Sequence, residues 1–194
     1  MNRSVVIAAS ALVLLCLGTP PALATQWVFD PAVLIADGRA LLLRAPDHDM
    51  DQLFQAVHAA AQLPDEAAAL CTAFDPDGEL GLEALQSAGE QFGDASRERF
   101  VTAITTVMVA ATRHPPQPFD EAQAQRALRA AGVAAAIQHD GFTSGLNGVD
   151  PEARCRSVRQ LIDALQARPL AERAAATRLL LREGLTLAAP ALQR

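Results

Sequence analysis

The sequence predicts an all-α protein, a single compact bundle of about seven or eight helices held by one expected disulfide. Apolar residues recur at spacings of three and four along most of the chain, which is the period of an amphipathic helix. No segment shows the alternation of polar and β-branched apolar residues that marks a strand. The composition, 51% hydrophobic but only 4% aromatic, is rich in alanine and leucine, so the core is expected to be built mainly from small aliphatic side chains.

The first 24 residues are predicted to be a secretory signal peptide. Arg3 precedes an apolar run over 5–17, and Ala22-Leu23-Ala24 presents small residues at the positions a signal peptidase reads. The run is shorter than the roughly 20 apolar residues that cross a bilayer, and the leucine before Cys16 does not fit a lipidation signal. We therefore expect cleavage after Ala24 and a periplasmic or secreted domain over 25–194 with no membrane span.

Cap and proline signals place the helices of the first half. Asp30 before Pro31 opens a helix that runs to Arg44. Acidic residues precede a second helix that starts near Asp49, and Pro64 opens a third that runs through residue 74. The DPDG stretch breaks the chain before a fourth helix over 79–92.

The fifth helix, from a cap at Asp94 to His114, is predicted to be the central one. No charged residue lies between Arg99 and Arg113, and a helix that is apolar nearly all round is normally buried. Its threonines can bond to carbonyls of their own helix, so they require no ligand.

Three further helices complete the predicted bundle. Asp120 caps a helix to His139, with a possible break near Gly132. Asp150 before Pro151 opens the next helix, and a last one over 170–183 ends at a glycine, followed by an irregular tail over 185–194.

Cys71 and Cys155 remain after removal of the leader, and two cysteines in an exported chain predict a disulfide. Two buried thiols and a redox pair are the alternatives, although no CxxC spacing supports the latter. Closing a loop of 84 residues contributes about 4–5 kcal/mol in the chain-entropy model.

Charge is unevenly distributed along an acidic chain of net charge −6. The overall acidity argues against nucleic acid as a partner, and the absence of lysine and tyrosine excludes the chemistry of those side chains. Residues 25–95 carry 13 acids and 2 arginines, whereas residues 96–194 carry 9 acids and 13 arginines. Either the two halves complement each other, or the acidic half docks a cationic protein.

The loop between the sixth and seventh predicted helices is the strongest candidate for a binding surface. Three glycines suit a turn, but ten residues is long for a helix connection. Phe142 and Leu146 either form a small core beneath the loop or face a partner. The predicted binding residues are Phe142, Ser144, Leu146, Asn147, Arg154 and Arg156, with Arg159 extending a basic spot.

Motifs for metal binding or nucleophilic catalysis are not recognisable. The acidic string at 47–51 fits a helix N-terminus. The DPDG loop lacks the glutamate that an EF-hand needs six residues after its glycine, where Ala84 stands. Ser144 lies in GFTSG, which is not a GxSxG elbow. We predict no metal and no cofactor.

These features favour a non-enzymatic exported protein that binds another protein of the cell envelope, as an inhibitor, an immunity-type protein or an accessory factor. One alternative is an enzyme with a dispersed site around His48, Asp49, Asp51 and the 139–148 loop. Another is a carrier of a small apolar ligand, with a cavity lined by Phe100, Ile104 and Met108.

Overall fold

The computed structural model describes residues 31–73 and 82–188, and within these ranges every regular element is an α-helix. The predicted fold class is therefore confirmed. The nine helices of these two ranges are α1 Pro31–Arg44, α2 Asp47–Ala61, α3 Pro64–Ala73, α4 Leu82–Gln91, α5 Asp94–Arg113, α6 Glu121–Gln138, α7 Phe142–Leu146, α8 Pro151–Gln166 and α9 Leu170–Ala188. The helix beyond the predicted number is α7, which forms inside the long loop. The predicted signal peptide, the Asp30 cap and the DPDG break lie outside the described residues.

Helix α2 lies at the centre of the bundle. It packs against α9 and α5, while α6 packs against α9 and α8. One apolar cluster surrounds Met50 and Leu53 beside alanines of α5 and α9, and a second joins Phe54 to Phe142 and Leu165. Because alanines fill most of the other buried positions, the helices approach closely and the core has few bulky side chains.

The prediction that α5 is the central, buried helix is wrong. Among its twenty residues only Ser96, Ala103, Val107 and Ala111 are buried. Val101 is 63% exposed, Ile104 49% and Met108 47%. Helix α5 lies at the edge of the bundle, with one face on α1 and α2. The absence of charge in this segment therefore did not indicate burial.

The structure confirms two of the predicted helix caps and corrects two other predicted helix starts. Asp120 accepts a hydrogen bond from the backbone N–H of Gln123, and Asp150 accepts one from Glu152, as predicted. Asp94 is not a cap, since Gly93 occupies that position and the Asp94 carboxylate pairs with Arg97. Helix α2 starts at Asp47, ahead of the predicted start.

Two glycines that were expected to interrupt helices do not. Helix α6 is continuous through Gly132, and α9 continues past Gly184 to Ala188. No atom outside the helix backbone lies within 4 Å of where a Cβ would stand at either glycine. The irregular tail predicted from residue 185 is therefore wrong for 185–188, and residues 189–194 lie outside the described part.

A disulfide joins Cys71 on α3 to Cys155 on α8, with the two Cα atoms 5.4 Å apart. The predicted pairing is confirmed. It ties α3 to the C-terminal half of the bundle across 84 residues of sequence. None of the helices in the described ranges is both long and apolar enough to cross a membrane.

Candidate functional site

The loop between α6 and α8, which includes α7, is a compact turn that packs on α8. Gly141 has a φ of +82°, a conformation that glycine adopts without strain. A Cβ on Gly145 would lie 2.4 Å from Ser157 Oγ, and a Cβ on Gly148 would lie 2.7 Å from the carbonyl oxygen of Ser144. Each of the three glycines is therefore required, either by the backbone of the turn or by its close packing on α8, and none needs a ligand to explain it.

The apolar side chains of the loop differ in exposure. Phe142 is only 5% exposed and packs in the core cluster of Phe54, which is the first of the two alternatives considered for this ring. Leu146 remains 36% exposed. The sequence-predicted binding residue Phe142 thus supports the fold of the loop from beneath.

The polar side chains of the loop are directed to its own backbone. Ser144 Oγ donates a hydrogen bond to the carbonyl of Gly141 at 3.0 Å, and Asn147 Nδ2 donates to the carbonyl of Thr143 at 2.9 Å. These bonds stabilise the α7 turn, so the two side chains have a sufficient structural role.

Arg154 and Arg156 on α8 occupy different positions relative to this loop. Arg154 donates from Nη2 to the carbonyl of Gly148 and so anchors the loop to α8. Arg156 is exposed. It lines a small cavity of about 320 Å³ together with Asp140, Ser144, Asp150 and Gln160. Of the predicted binding residues, the structure brings Ser144 and Arg156 to this shared cavity.

The acidic string at the start of α2 is bound by arginines of α9. Arg173 holds Asp51 through two hydrogen bonds, Nε to Oδ1 at 2.6 Å and Nη2 to Oδ2 at 2.9 Å. The hydrogen bond to Asp51 is the main reason that the pKa of Arg173 lies above its usual value, although burial opposes it. Arg178 Nη2 lies 3.1 Å from Asp47 Oδ1. Part of the acidic half of the chain therefore pairs with the basic half within the molecule.

The residues considered for a dispersed enzyme site have separate surroundings in the described part of the chain. His48 faces Gln52, and Asp51 is occupied by Arg173. The cavity beside the 139–148 loop is lined by the loop and α8 and contains no residue of α2. In residues 31–73 and 82–188 no three His, Cys, Asp or Glu side chains are grouped to hold a metal ion.

The remaining histidines occupy helix ends and the core boundary. His114 and His139 are the C-cap residues of α5 and α6, as predicted. His58, partly buried, lies 3.1 Å from Asp163 Oδ1 on α8. Each of these three histidines therefore has a structural role in the fold.

The three side chains considered as the lining of a carrier's apolar cavity do not face one common space. Ile104 and Met108 point outward, and Phe100 stacks on Phe92 with ring centroids 5.1 Å apart. An open groove of about 700 Å³ runs between α2 and α5 instead, with alanines among its lining residues and polar side chains such as Gln52 and Arg99. The predicted lining residues thus do not enclose a common cavity.

Beside this groove, α5 presents an uncharged outward surface, which we call the α5 face. Its members recur at positions i, i+3, i+4, i+7, i+8 and i+11, which share one side of a helix. All are exposed, and they are Val101, Ile104, Thr105, Met108, Val109 and Thr112. Four of these six side chains are apolar, and apolar residues exposed together in this way are typical of an interaction surface. The charge-free run was the sequence signal for it, but burial was the wrong interpretation.

The described residues define a disulfide-bridged all-α protein with an open groove and an uncharged helix face at its edge. No protein-family model matches the chain, and comparisons with curated proteins and with solved structures found no significant similarity.

Proposed function

We propose that this protein is exported from the cytoplasm and acts by binding another protein of the cell envelope through the α5 face. The observation that carries the proposal is the exposure of Val101, Ile104 and Met108 on a helix without a charge between residues 99 and 113. When a partner removes exposed apolar side chains from water, the free energy of the complex falls. An inhibitor or immunity-type protein and an accessory factor of the envelope are the specific versions of this role.

Two further features support the export part of the proposal. The leader has the charge, apolar run and small-residue site of a secretory signal. The Cys71–Cys155 disulfide is of the kind that persists in oxidising compartments. Mass spectrometry of the protein from the periplasmic fraction is expected to show Thr25 as the first residue, and a cytoplasmic, uncleaved chain would contradict export.

The binding part is tested with a matched pair of double variants. Ile104→Ser/Met108→Ser removes two apolar side chains of the α5 face. Val133→Ser/Ile137→Ser removes two that are exposed at the same i, i+4 spacing on α6. Because a few well-packed side chains near the centre of an interface carry most of its free energy, the first variant is expected to weaken partner binding at least about tenfold. The second is expected to bind as the wild type does.

The measurement is affinity capture from periplasmic extract of the source organism, followed by binding titrations with the captured protein, at low and high salt. Circular dichroism of both variants checks that they remain folded. Capture that is equal for wild type and Ile104→Ser/Met108→Ser, or no partner at any salt concentration, would overturn the proposal.

A further inference from the structure

We propose that the α5 face also pairs with the same face of a second copy of this chain, with the two α5 helices antiparallel. This inference rests on the proposed function, because it assigns a specific occupant to the same surface, so the envelope partner and the second copy compete for it. The positions of charged and apolar side chains along α5 favour this pairing.

Two charged residues of opposite sign bracket the α5 face. Glu98 and Arg113 lie on one flank of the helix, separated by Thr102, Thr105 and Val109 at steps of four, three, four and four residues. Both charged residues are exposed. Within residues 31–73 and 82–188 neither has an ion-pair partner, whereas neighbouring Arg97 pairs with Asp94.

A two-fold axis brings these charges together. In a symmetric antiparallel pair each contact occurs twice, because residue i meets j while j meets i. Glu98 and Arg113 are about 22 Å apart along the helix at 1.5 Å per residue. A two-fold axis midway between them places Glu98 of each copy level with Arg113 of the other, on the same flank, and forms two ion pairs.

The same axis matches the apolar side chains. Ile104 comes level with Met108 of the second copy, and Val101 with its Val109, each to within one residue, or about 1.5 Å. Thr105 lies at the crossing point, where a small side chain permits the close helix approach of about 8–10 Å. One axis therefore satisfies both the charged ends and the apolar centre.

A single pair of helices forms a small interface, so the dimer is expected to be weak, with a dissociation constant of micromolar or above. Sedimentation velocity over a range of protein concentrations, with the disulfide formed, measures it. Glu98→Arg and Arg113→Glu each place like charges opposite one another in a homodimer. Each is expected to raise the dissociation constant about tenfold at low salt.

The decisive experiment is sedimentation velocity on a mixture of these two single variants. In a mixed dimer one copy is positive at both positions and the other is negative at both. Each contact between positions 98 and 113 then joins opposite charges, so dimer formation is expected to return to near the wild-type level. Arg129→Glu, at an exposed arginine of α6, serves as a control and is expected to leave the dimer unchanged. Circular dichroism confirms folding of every variant.

Three results would each overturn the antiparallel dimer. The first is a wild-type protein that is monomeric at every concentration up to about 1 mM, and the second is a mixture of the two charge variants that does not recover dimer formation. The third is a dimer that Ile104→Ser/Met108→Ser leaves intact. Failure of the dimer can be distinguished from failure of the proposed function. A monomeric wild-type protein that still captures an envelope partner through Ile104 and Met108 refutes the dimer alone, whereas a dimer without any captured partner refutes binding to another envelope protein.

Discussion

Arg173 on α9 and Asp51 on α2 form a bidentate ion pair across 122 residues of sequence. Both side chains are largely buried. Arg173 Nη1 also donates at 2.6 Å to the carbonyl of Arg168, just after the end of α8. This single guanidinium therefore links the central helix, the last helix and the turn between α8 and α9.

Asp51→Asn is expected to lower the free energy of unfolding by about 3 kcal/mol, because it leaves the charge of Arg173 buried without its counter-ion. Chemical denaturation at neutral pH measures the change. Asp49→Asn on the same helix is the control, since no ion pair of Asp49 is present among the described residues, and a change of at most about 0.5 kcal/mol is expected from the helix dipole. Equal effects of the two variants would contradict a structural role for the ion pair.

Arg178 is the second arginine of α9 that the fold depends on. It is 1% exposed, and it donates from Nε to the carbonyl of Leu42 and from Nη2 to that of Ala45. These carbonyls lie at the C-terminal end of α1, where helix carbonyls lack partners within the helix. Its guanidinium carbon also lies 5.8 Å from the centroid of the Phe119 ring.

Arg178→Met is expected to cost about 3 kcal/mol, because it retains much of the buried aliphatic packing but leaves the carbonyls of Leu42 and Ala45 without donors. Arg178→Lys is expected to recover only part of the loss, since an ammonium cannot reproduce the planar fork. Thermal and urea denaturation measure both variants against Arg129→Lys, an exposed control expected to be neutral. Full recovery in Arg178→Lys would show that charge alone matters at this position.

Features governed by local chemistry were predictable from the sequence. Asp120 and Asp150 act as caps because a short side chain reaches the N–H groups of its own first turn. The disulfide was predictable because only Cys71 and Cys155 follow the predicted signal peptide. The turn role of the loop was also predictable, since it holds three glycines: Gly141 adopts a positive φ that other residues avoid, and Gly145 and Gly148 stand where a Cβ would overlap neighbouring atoms.

Features that depend on partners distant in sequence were not predictable. No pattern near Asp51 indicates that Arg173 will neutralise it, so the acidic string resembled a simple helix N-terminus. Likewise, a charge-free helix is equally compatible with a buried position and with an exposed apolar face. The burial of Phe142 and the exposure of Ile104 follow from how the helices are arranged in space.

Gly145→Ala is expected to destabilise the protein by about 1–3 kcal/mol, because the new methyl group would overlap Ser157 Oγ and the carbonyl of Ala153. Gly132→Ala is the matched control, at a helical glycine with open space around it. It is expected to stabilise by about 0.5–1 kcal/mol through helix propensity. Urea denaturation compares the two, and a neutral Gly145→Ala would show that α7 does not pack on α8 as described.

Removal of the disulfide tests the link between α3 and α8. Cys71→Ser/Cys155→Ser is expected to lower the free energy of unfolding by about 4–5 kcal/mol, the loop-closure value for a separation of 84 residues. Reduction of the wild-type protein is expected to have a similar effect, which separates the bond from the substitutions themselves. A loss below about 1 kcal/mol in both cases would indicate that the unfolded chain gains little freedom when the bond is absent.

Phe142 and Leu146 distinguish a structural loop from a binding loop. Phe142→Ala removes a ring that is almost fully buried in the cluster of Phe54, Ala131 and Ala135, and it is expected to cost about 3–5 kcal/mol of stability. Leu146→Ala, at a partly exposed position, is expected to cost about 1 kcal/mol or less. Both are measured by denaturation and by the envelope-partner titration used for the α5 variants. If Leu146→Ala weakened partner binding about tenfold at unchanged stability, the loop would belong to the binding surface, and the α5 face alone would not account for recognition.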